Sequence, residues 1–310
     1  MSQPPNPTPQ NPTSRPASRQ AAPAWYRHAL DVPHGSSTVS VDGANIHYLT
    51  WGEPGRPGLV FVHGGAAHAH WWTHVAAQFA GNYRIAALDL SGHGDSDRRA
   101  AYSLNAWTDE VVAVADAADM AGPPIVIGHS MGGFVTLATA ARHSDRLAGG
   151  VVIDSPVVKA DPEMDTGRRD NFRNPKVYPD AATAIARFRT VPEQDHYEPF
   201  VMADVAARSL RPCNGGVTWK FDPGIFLPDR AAADDLLPNI TCRIALFRAQ
   251  HGLVTADIGA YMYEQLGRVA PVVEIPLAGH HVMLDQPLLL VTALRTLLAD
   301  WEHSVPFERD

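Results

Sequence analysis

Short apolar runs alternate with helix-like stretches along most of the chain. Largely apolar runs, as expected for strands buried on both faces, cover residues 58–63, 83–90, 125–127 and 147–153. Helical periodicity of the apolar positions separates these runs, over residues 66–80, 104–121 and 134–141. Strands that alternate with helices form a parallel sheet, because each crossover returns the chain to the same edge. The pattern therefore predicts an α/β fold with a doubly wound, mostly parallel β-sheet.

The alternation is interrupted once, between residues 157 and 238. This stretch is rich in Pro, Asp, Arg and aromatic residues, and its helical patches are broken by prolines. The alternation resumes with apolar runs at residues 242–247 and 272–276. We interpret residues 157–238 as an inserted helical cap or lid that divides the α/β core into residues 24–156 and 239–310.

Composition narrows the class of protein. The chain has 310 residues, of which 45% are hydrophobic and 19% charged, and these are values of a globular domain. A net charge of −8 without a basic patch argues against a nucleic acid or an anionic membrane as partner. Two cysteines, Cys213 and Cys242, make no disulfide framework, so we expect a cytoplasmic protein whose oligomeric state, a homodimer included, stays open.

The first 23 residues differ from the rest of the chain. They are mostly Pro, Ser, Gln, Asn and Thr, and they contain no apolar core of the length that a secretory signal needs. Such a composition cannot bury enough apolar surface to order itself. The sequence therefore predicts a disordered N-terminal tail without a catalytic role.

Residues 128–132, Gly-His-Ser-Met-Gly, join an apolar strand directly to a helix. A serine in this sharp turn has a strained backbone, and its neighbours two positions away must be nearly free of side chain. Gly128 and Gly132 meet that requirement. Ser130 is therefore predicted to stand at the carboxyl end of a strand and at a helix N-terminus, which favours developing negative charge.

Four motifs, in this order, resemble those of the α/β-hydrolase superfamily. They are His63-Gly64-Gly65, the Asp-x-x-Gly-x-Gly-x-Ser stretch at 89–96, the serine turn at 128–132, and Ala278-Gly279-His280 followed by Asp285-Gln286-Pro287. The resemblance covers roughly residues 36–303 and implies a serine esterase-like hydrolase with a helical cap. It assigns Ser130 as the nucleophile and His280 as the base, with the adjacent His281 as the weaker candidate for the base.

The acid that completes the triad is less obvious. The superfamily usually places it shortly after the strand that follows the cap, but Gln250 and His251 stand there, and the next carboxylate is Asp257. Some members carry the acid after the strand that directly follows the nucleophile, where this chain has Asp154. We select Asp154, with Asp257 as the alternative and a turn or N-cap role as the structural alternative for Asp154.

The resemblance also implies the rest of the site. An oxyanion hole needs two backbone N–H groups, which Gly65 and Met131 would supply, while His63 would brace the loop. His129, Trp71 and Trp219 are candidates for the substrate pocket. His68, His70 and His74 lie close together in the sequence, but no carboxylate or cysteine joins them, so we expect no metal site and no cofactor.

These observations favour hydrolysis of a carboxylic ester or lactone of a small hydrophobic molecule through an acyl-enzyme. Within the same fold, a C–C bond hydrolase of ring-cleavage products and a cofactor-free dioxygenase are the alternatives. A non-catalytic ligand-binding module is a more distant third. Nucleophilic-aspartate enzymes, such as epoxide hydrolases, are disfavoured because a serine occupies the turn.

Overall fold

A computed structural model of the chain describes residues 21–157, 176–225 and 236–304. The predicted tail, residues 1–23, lies almost entirely outside these residues, as do parts of the predicted cap. The strands are β1 (Gly35–Val41), β2 (Ala44–Trp51), β3 (Pro57–Val62), β4 (Arg84–Leu88), β5 (Ala121–His129), β6 (Gly149–Ile153), β7 (Leu210–Cys213), β8 (Gly216–Trp219), β9 (Arg243–His251) and β10 (Val272–Gly279).

Nine α-helices lie within the described residues. They are α1 (Ala24–Asp31), α2 (Thr73–Ala76), α3 (Leu104–Ala117), α4 (Met131–Arg142), α5 (Ala181–Ile185), α6 (Pro199–Arg208), α7 (Ala256–Gln265), α8 (Val282–Asp285) and α9 (Pro287–His303). No helix within the described residues is long and apolar enough to span a membrane.

Eight of the strands form one sheet in the order β1-β2-β4-β3-β5-β6-β9-β10. The first two ladders, β1 with β2 and β2 with β4, are antiparallel, and the remaining five are parallel. Two apolar cores cover the two faces, one around Phe61 and Leu294 and the other around Val60 and Trp107. The predicted doubly wound α/β fold is confirmed, and the carboxyl ends of β3, β5, β6, β9 and β10 meet at one edge.

The helix predicted over residues 66–80 is instead a series of short turns. Ala66 has a φ of 58°, a left-handed conformation that a right-handed helix cannot include. The chain then forms 3₁₀ turns at Ala69–Trp71 and Ala77–Phe79 on either side of α2. Ala69 N–H donates to Asp89 Oδ1 over 2.6 Å, which ties the first turn to the end of β4.

Residues 176–225 lie between β6 and β9 and contain both helices and strands. The sequence predicts helices over residues 181–188 and 199–210, and α5 and α6 lie within these two ranges. The antiparallel pair β7–β8, which Asn214-Gly215 joins, was not predicted, because Leu210–Cys213 includes a proline. Phe172 and Phe226, two of the aromatic residues of the predicted cap, lie outside the described residues.

Candidate active site

The turn between β5 and α4 places Ser130 in a strained conformation, with φ 54° and ψ −118°. A Cβ on Gly128 would lie 2.1 Å from the Gly132 carbonyl oxygen, and one on Gly132 would lie 2.4 Å from the Val62 carbonyl oxygen. Only glycine therefore fits at either position. Ser130 N–H donates to the Ile153 carbonyl over 3.0 Å, so the turn is fixed to the end of the neighbouring strand β6.

The loop after β10 brings His280 against Ser130. His280 Nε2 lies 3.0 Å from Ser130 Oγ, and Nδ1 lies 2.7 Å from Asp154 Oδ2. A carboxylate only accepts hydrogen bonds, so it fixes the proton on Nδ1 and leaves the Nε2 lone pair facing the serine hydroxyl. His280 and Asp154 are buried, whereas Ser130 is half-buried. The three side chains selected from the sequence thus form one hydrogen-bonded chain.

Asp154 follows β6 with a φ of 45°, and its side chain is fully buried. Three backbone N–H groups donate to its carboxylate, from Ala249 over 3.1 Å, Leu253 over 2.7 Å and Val254 over 3.2 Å. Burial raises the pKa of Asp154, but the hydrogen bond and charge of His280, together with these amides, hold it below its ordinary value. Asp154 is therefore kept as a carboxylate that orients the imidazole.

The amides that surround Asp154 come from the end of strand β9 and from the loop that follows it, where the resemblance leads one to expect the acid itself. Gly252 lies in the middle of this loop, and a Cβ there would be 2.3 Å from Asp154 Oδ2. Residue 252 therefore points directly at the carboxylate, and the missing side chain makes room for it. This role of Gly252 was not predicted from the sequence. The available signal was that no carboxylate occurs from Gln250 to Val254, where the acid was expected.

The other candidates for base and acid lie elsewhere. His281 Nε2 contacts the Pro192 carbonyl oxygen over 3.1 Å, and Asp257 is exposed in the first turn of α7. Gln250 Oε1 accepts from Leu277 N–H over 2.7 Å, and His251 is exposed. Within the described residues, His280 and Asp154 alone of these candidates form the hydrogen-bonded chain with Ser130.

Of the two residues predicted to supply the oxyanion groups, Met131 directly follows Ser130, and Gly65 follows Gly64, which lies beside Ser130. Met131 is the first residue of α4, directly after Ser130, and a Cβ on Gly64 would lie 3.3 Å from Ser130 Cβ. The neighbouring Gly65 is exposed at the start of this loop. His63 Nδ1–H donates to the Gly64 carbonyl over 2.7 Å, and its Nε2 accepts from Leu90 N–H over 3.1 Å, so this imidazole braces the loop.

Aromatic rings extend from the triad towards the inserted segment. Trp71 makes an edge contact with His281 at a centroid distance of 5.6 Å and a further one with Phe188 at 6.4 Å. Phe188 contacts Trp219 at 5.4 Å, so it links the two predicted pocket tryptophans. His129 is buried beneath them beside His280, with 4.7 Å between the ring centroids, and desolvation lowers its pKa to about 3.

The histidines after β3 bind separate partners. His68 Nε2 lies 2.9 Å from Ser209 Oγ, His70 Nδ1 lies 3.2 Å from Thr73 Oγ1, and His74 Nε2 donates to the Met283 carbonyl over 2.7 Å. A second group of side chains that could bind a metal consists of His47, Asp89 and Asp95. Its members make hydrogen bonds within the protein and an ion pair with Lys220. The ligand atoms of this group lie within 4.8 Å of one another, but they are already bonded within the protein. Within the described residues, the three histidines after β3 form no such converging group.

The sequence model of the alpha/beta hydrolase family matches residues 59–293. The chain belongs to the alpha/beta hydrolase family. The match spans the serine turn, the ends of β6 and β9 and the loop of His280.

This hydrolase is 28% identical over 263 residues to the lipase LipV of Mycobacterium tuberculosis, covering 82% of the chain and 98% of the relative. It is 29% identical over 147 residues to mouse epoxide hydrolase 4, a match that covers 46% of the chain and 41% of that relative. The crystal structure of E-2-(acetamidomethylene)succinate hydrolase superposes with a TM-score of 0.73 at 20% identity, over 86% of the chain and 100% of its own length. This structural similarity supports the fold alone.

Proposed function

We propose that this hydrolase cleaves a carboxylic ester or lactone of a small hydrophobic molecule through a covalent acyl-enzyme on Ser130. The observation that carries the proposal is the position of His280, which lies 3.0 Å from Ser130 Oγ and 2.7 Å from Asp154 Oδ2. A serine hydroxyl is a weak nucleophile at neutral pH and needs an adjacent base whose tautomer is fixed. The hydrogen-bonded chain meets both needs.

In the proposed reaction, His280 Nε2 takes the proton of Ser130 as Oγ attacks the acyl carbon. The imidazolium then returns this proton to the leaving alcohol, and the same nitrogen next activates water to release the acid. Asp154 stabilises the imidazolium through Nδ1 in both steps. No metal or organic cofactor takes part.

The developing oxyanion would be held by the backbone N–H groups of Met131 and Gly65. Met131 lies at the N-terminus of α4, where the helix dipole adds a favourable field. Gly65 follows Gly64, whose backbone lies against Ser130. Losing one such donor typically lowers turnover by about 10²–10³.

The choice of an ester over an epoxide rests on the nucleophile. A serine at this turn becomes acylated by an ester, whereas nucleophilic-aspartate enzymes, such as epoxide hydrolases, carry an aspartate there. The similarity to a lipase across 98% of its length supports the ester class. We propose that the described part of the inserted segment, residues 176–225, belongs to a cap over the site, and that Trp71, Phe188 and Trp219 contribute an apolar, aromatic wall for the substrate.

A fluorophosphonate probe tests the proposal without knowledge of the substrate. We expect one equivalent to label Ser130 in the wild-type chain, no labelling of Ser130→Ala, and strongly slowed labelling of His280→Ala. Hydrolysis of p-nitrophenyl esters of graded chain length should show turnover that falls by about 10⁶ in Ser130→Ala. Absence of labelling in folded protein, or consumption of dioxygen during turnover, would contradict the proposal.

A further inference from the structure

Three histidines, rather than one, meet beside Ser130. One ring nitrogen from each of His129, His280 and His281 lies within 4.8 Å of the other two. The ring centroids are 4.7 Å apart for His129 and His280, 4.7 Å for His280 and His281, and 5.6 Å for His129 and His281. All three side chains are buried. We call them the histidine cluster.

Backbone carbonyls fix the tautomers of two members of the cluster. His129 Nε2 lies 2.8 Å from the His280 carbonyl oxygen, and His281 Nε2 lies 3.1 Å from that of Pro192. A carbonyl only accepts a hydrogen bond, so both Nε2 atoms carry the proton and both Nδ1 atoms carry a lone pair. Neither buried Nδ1 has a hydrogen-bond partner among the described residues.

Asp154 has the same effect on the third member. It accepts the Nδ1 proton of His280 and leaves the lone pair on Nε2, where the Ser130 hydroxyl lies 3.0 Å away and an ion would replace it. All three imidazoles are thus held with their N–H on an oxygen acceptor and a lone pair available. Proteins orient histidine ligands of metal ions in this manner, through a carboxylate or carbonyl on the other ring nitrogen.

We propose that His129, His280 and His281 bind a divalent transition-metal ion, with Zn²⁺ as the test case, and that the bound ion inhibits the enzyme. Zinc accepts three histidines and leaves a fourth position open, at Zn–N distances of about 2.0–2.1 Å. Rotation of the rings must therefore draw the three nitrogens closer together. Ser130, which lies against His280 Nε2, is half-buried, in contrast to the three buried histidines.

Inhibition follows from competition for one lone pair. The ion takes the Nε2 lone pair of His280, which then cannot accept the proton of Ser130. This inhibitory consequence rests on the proposed function, whereas binding of the ion does not. His281 is the member that is free of the triad, since its Nε2 contacts Pro192 rather than Ser130.

Calorimetric titration of the untagged, full-length chain with ZnCl₂ tests the binding. We expect one Zn²⁺ per chain, with an affinity that falls by about 100-fold in His281→Gln, since loss of a ligand should cost at least as much as loss of its supporting partner. The exposed His303→Gln is the matched control and should bind as the wild type does. Unchanged binding in His281→Gln would overturn the proposal, and so would zinc held by Cys213 or Cys242 alone.

A second measurement needs no variant. Cobalt(II) bound to the wild-type chain should give the intense visible absorption of a four-coordinate site, and zinc should displace it. Weak absorption typical of the hydrated ion would overturn the site.

Ester hydrolysis supplies the functional readout. Zinc should inhibit the wild type, EDTA should restore its turnover, and His281→Gln should lose a much smaller fraction of its own zinc-free turnover when zinc is added. Zinc inhibition that is as strong in His281→Gln as in the wild type would overturn the inhibitory role. Ser130→Ala should bind zinc as tightly as the wild type does. If no ester is hydrolysed, the proposed function fails, and the calorimetric and cobalt results still decide the metal site.

Discussion

The ends of β6 and β9 lie side by side at the same edge of the sheet, and they contribute opposite chemistry. The end of β6 supplies a carboxylate, Asp154, and no surrounding donor loop of its own. The end of β9 supplies three backbone N–H groups, from Ala249, Leu253 and Val254, and no carboxylate. Gly252 sits between these donors, with its missing side chain aimed at the carboxylate.

The position of the carboxylate beside His280 Nδ1 therefore does not determine which strand carries it. The imidazole of His280 requires an acceptor next to Nδ1, and either strand end can reach that point. A side chain from residue 252 and one from residue 154 would occupy the same space, so only one of them can be present. In this chain the carboxylate beside His280 follows β6, and the end of β9 supplies its backbone hydrogen-bond donors.

Removing the charge from Asp154 should have the largest effect. Asp154→Asn places an amide beside Nδ1, which favours the wrong tautomer of His280, and we expect kcat to fall by about 10²–10⁴. Steady-state hydrolysis of a p-nitrophenyl ester measures this loss. The control is Asp257→Asn, which changes an exposed carboxylate in α7 and should leave kcat unchanged. The reverse pattern would assign the acid to Asp257 in α7.

Filling the space at Gly252 should have a smaller effect. A Cβ in Gly252→Ala would lie 2.3 Å and 2.4 Å from the two carboxylate oxygens, so Asp154 must shift. A displacement of this size next to a catalytic group can lower kcat by about 10². Gly81→Ala, where a Cβ meets no atom within 4 Å, is the matched control and should behave as the wild type. Full activity of Gly252→Ala would contradict the close packing inferred for this loop.

Asp285 is a second buried carboxyl group near the site, and its pKa is shifted in the direction opposite to that of Asp154. It accepts the Gly279 N–H over 2.6 Å, while its other oxygen is buried without a hydrogen-bond partner among the described residues. Burial raises the pKa of Asp285 to about 6, which the few amide donors do not offset. Asp154, with four hydrogen-bond donors, has a lowered pKa instead.

The raised pKa of Asp285 predicts a pH effect on stability. The folded state binds the proton more tightly than the unfolded state, so this group's contribution weakens as pH rises from about 4 to about 6. Asp285→Asn has no titrating carboxyl group at this position, so its stability does not fall with pH for this reason. Relative to wild type, its free energy of unfolding should therefore rise over that interval, by up to about 3 kcal/mol for a shift from 3.8 to about 6. Urea unfolding at pH 4, 5, 6 and 7 measures the difference, and a difference independent of pH would contradict the raised pKa.

The sequence alone was sufficient for the parts of the fold that depend on side-chain pattern. Apolar runs and glycine spacing located the parallel strands and the turn of Ser130, and strand ends placed His280 and Asp154 at one edge. The donor loop around Asp154 could not be predicted, because backbone N–H groups leave no trace in the sequence. The prediction of one helix over residues 66–80 was wrong, because the spacing of apolar residues does not reveal the left-handed backbone of Ala66.

The inserted segment was the hardest part to predict. Its helices begin at recognisable signals, such as Asp180, whose side chain accepts from Thr183 N–H. The β7–β8 pair has only four residues in each strand, and a proline within one of them obscures its pattern. The row of rings from Trp71 through Phe188 to Trp219 joins parts of the chain more than a hundred residues apart, which no local pattern reveals.

The proton resonance of the His280 Nδ1–H tests the central claim most directly, because it reports the bond to Asp154 without any substrate. We predict a strongly low-field signal in the wild-type chain that is lost in His280→Ala and in Asp154→Asn and that is retained in Asp257→Asn. A wild-type spectrum without this signal, or a signal that vanishes in Asp257→Asn and survives in Asp154→Asn, would contradict the assignment of Asp154 as the partner of His280.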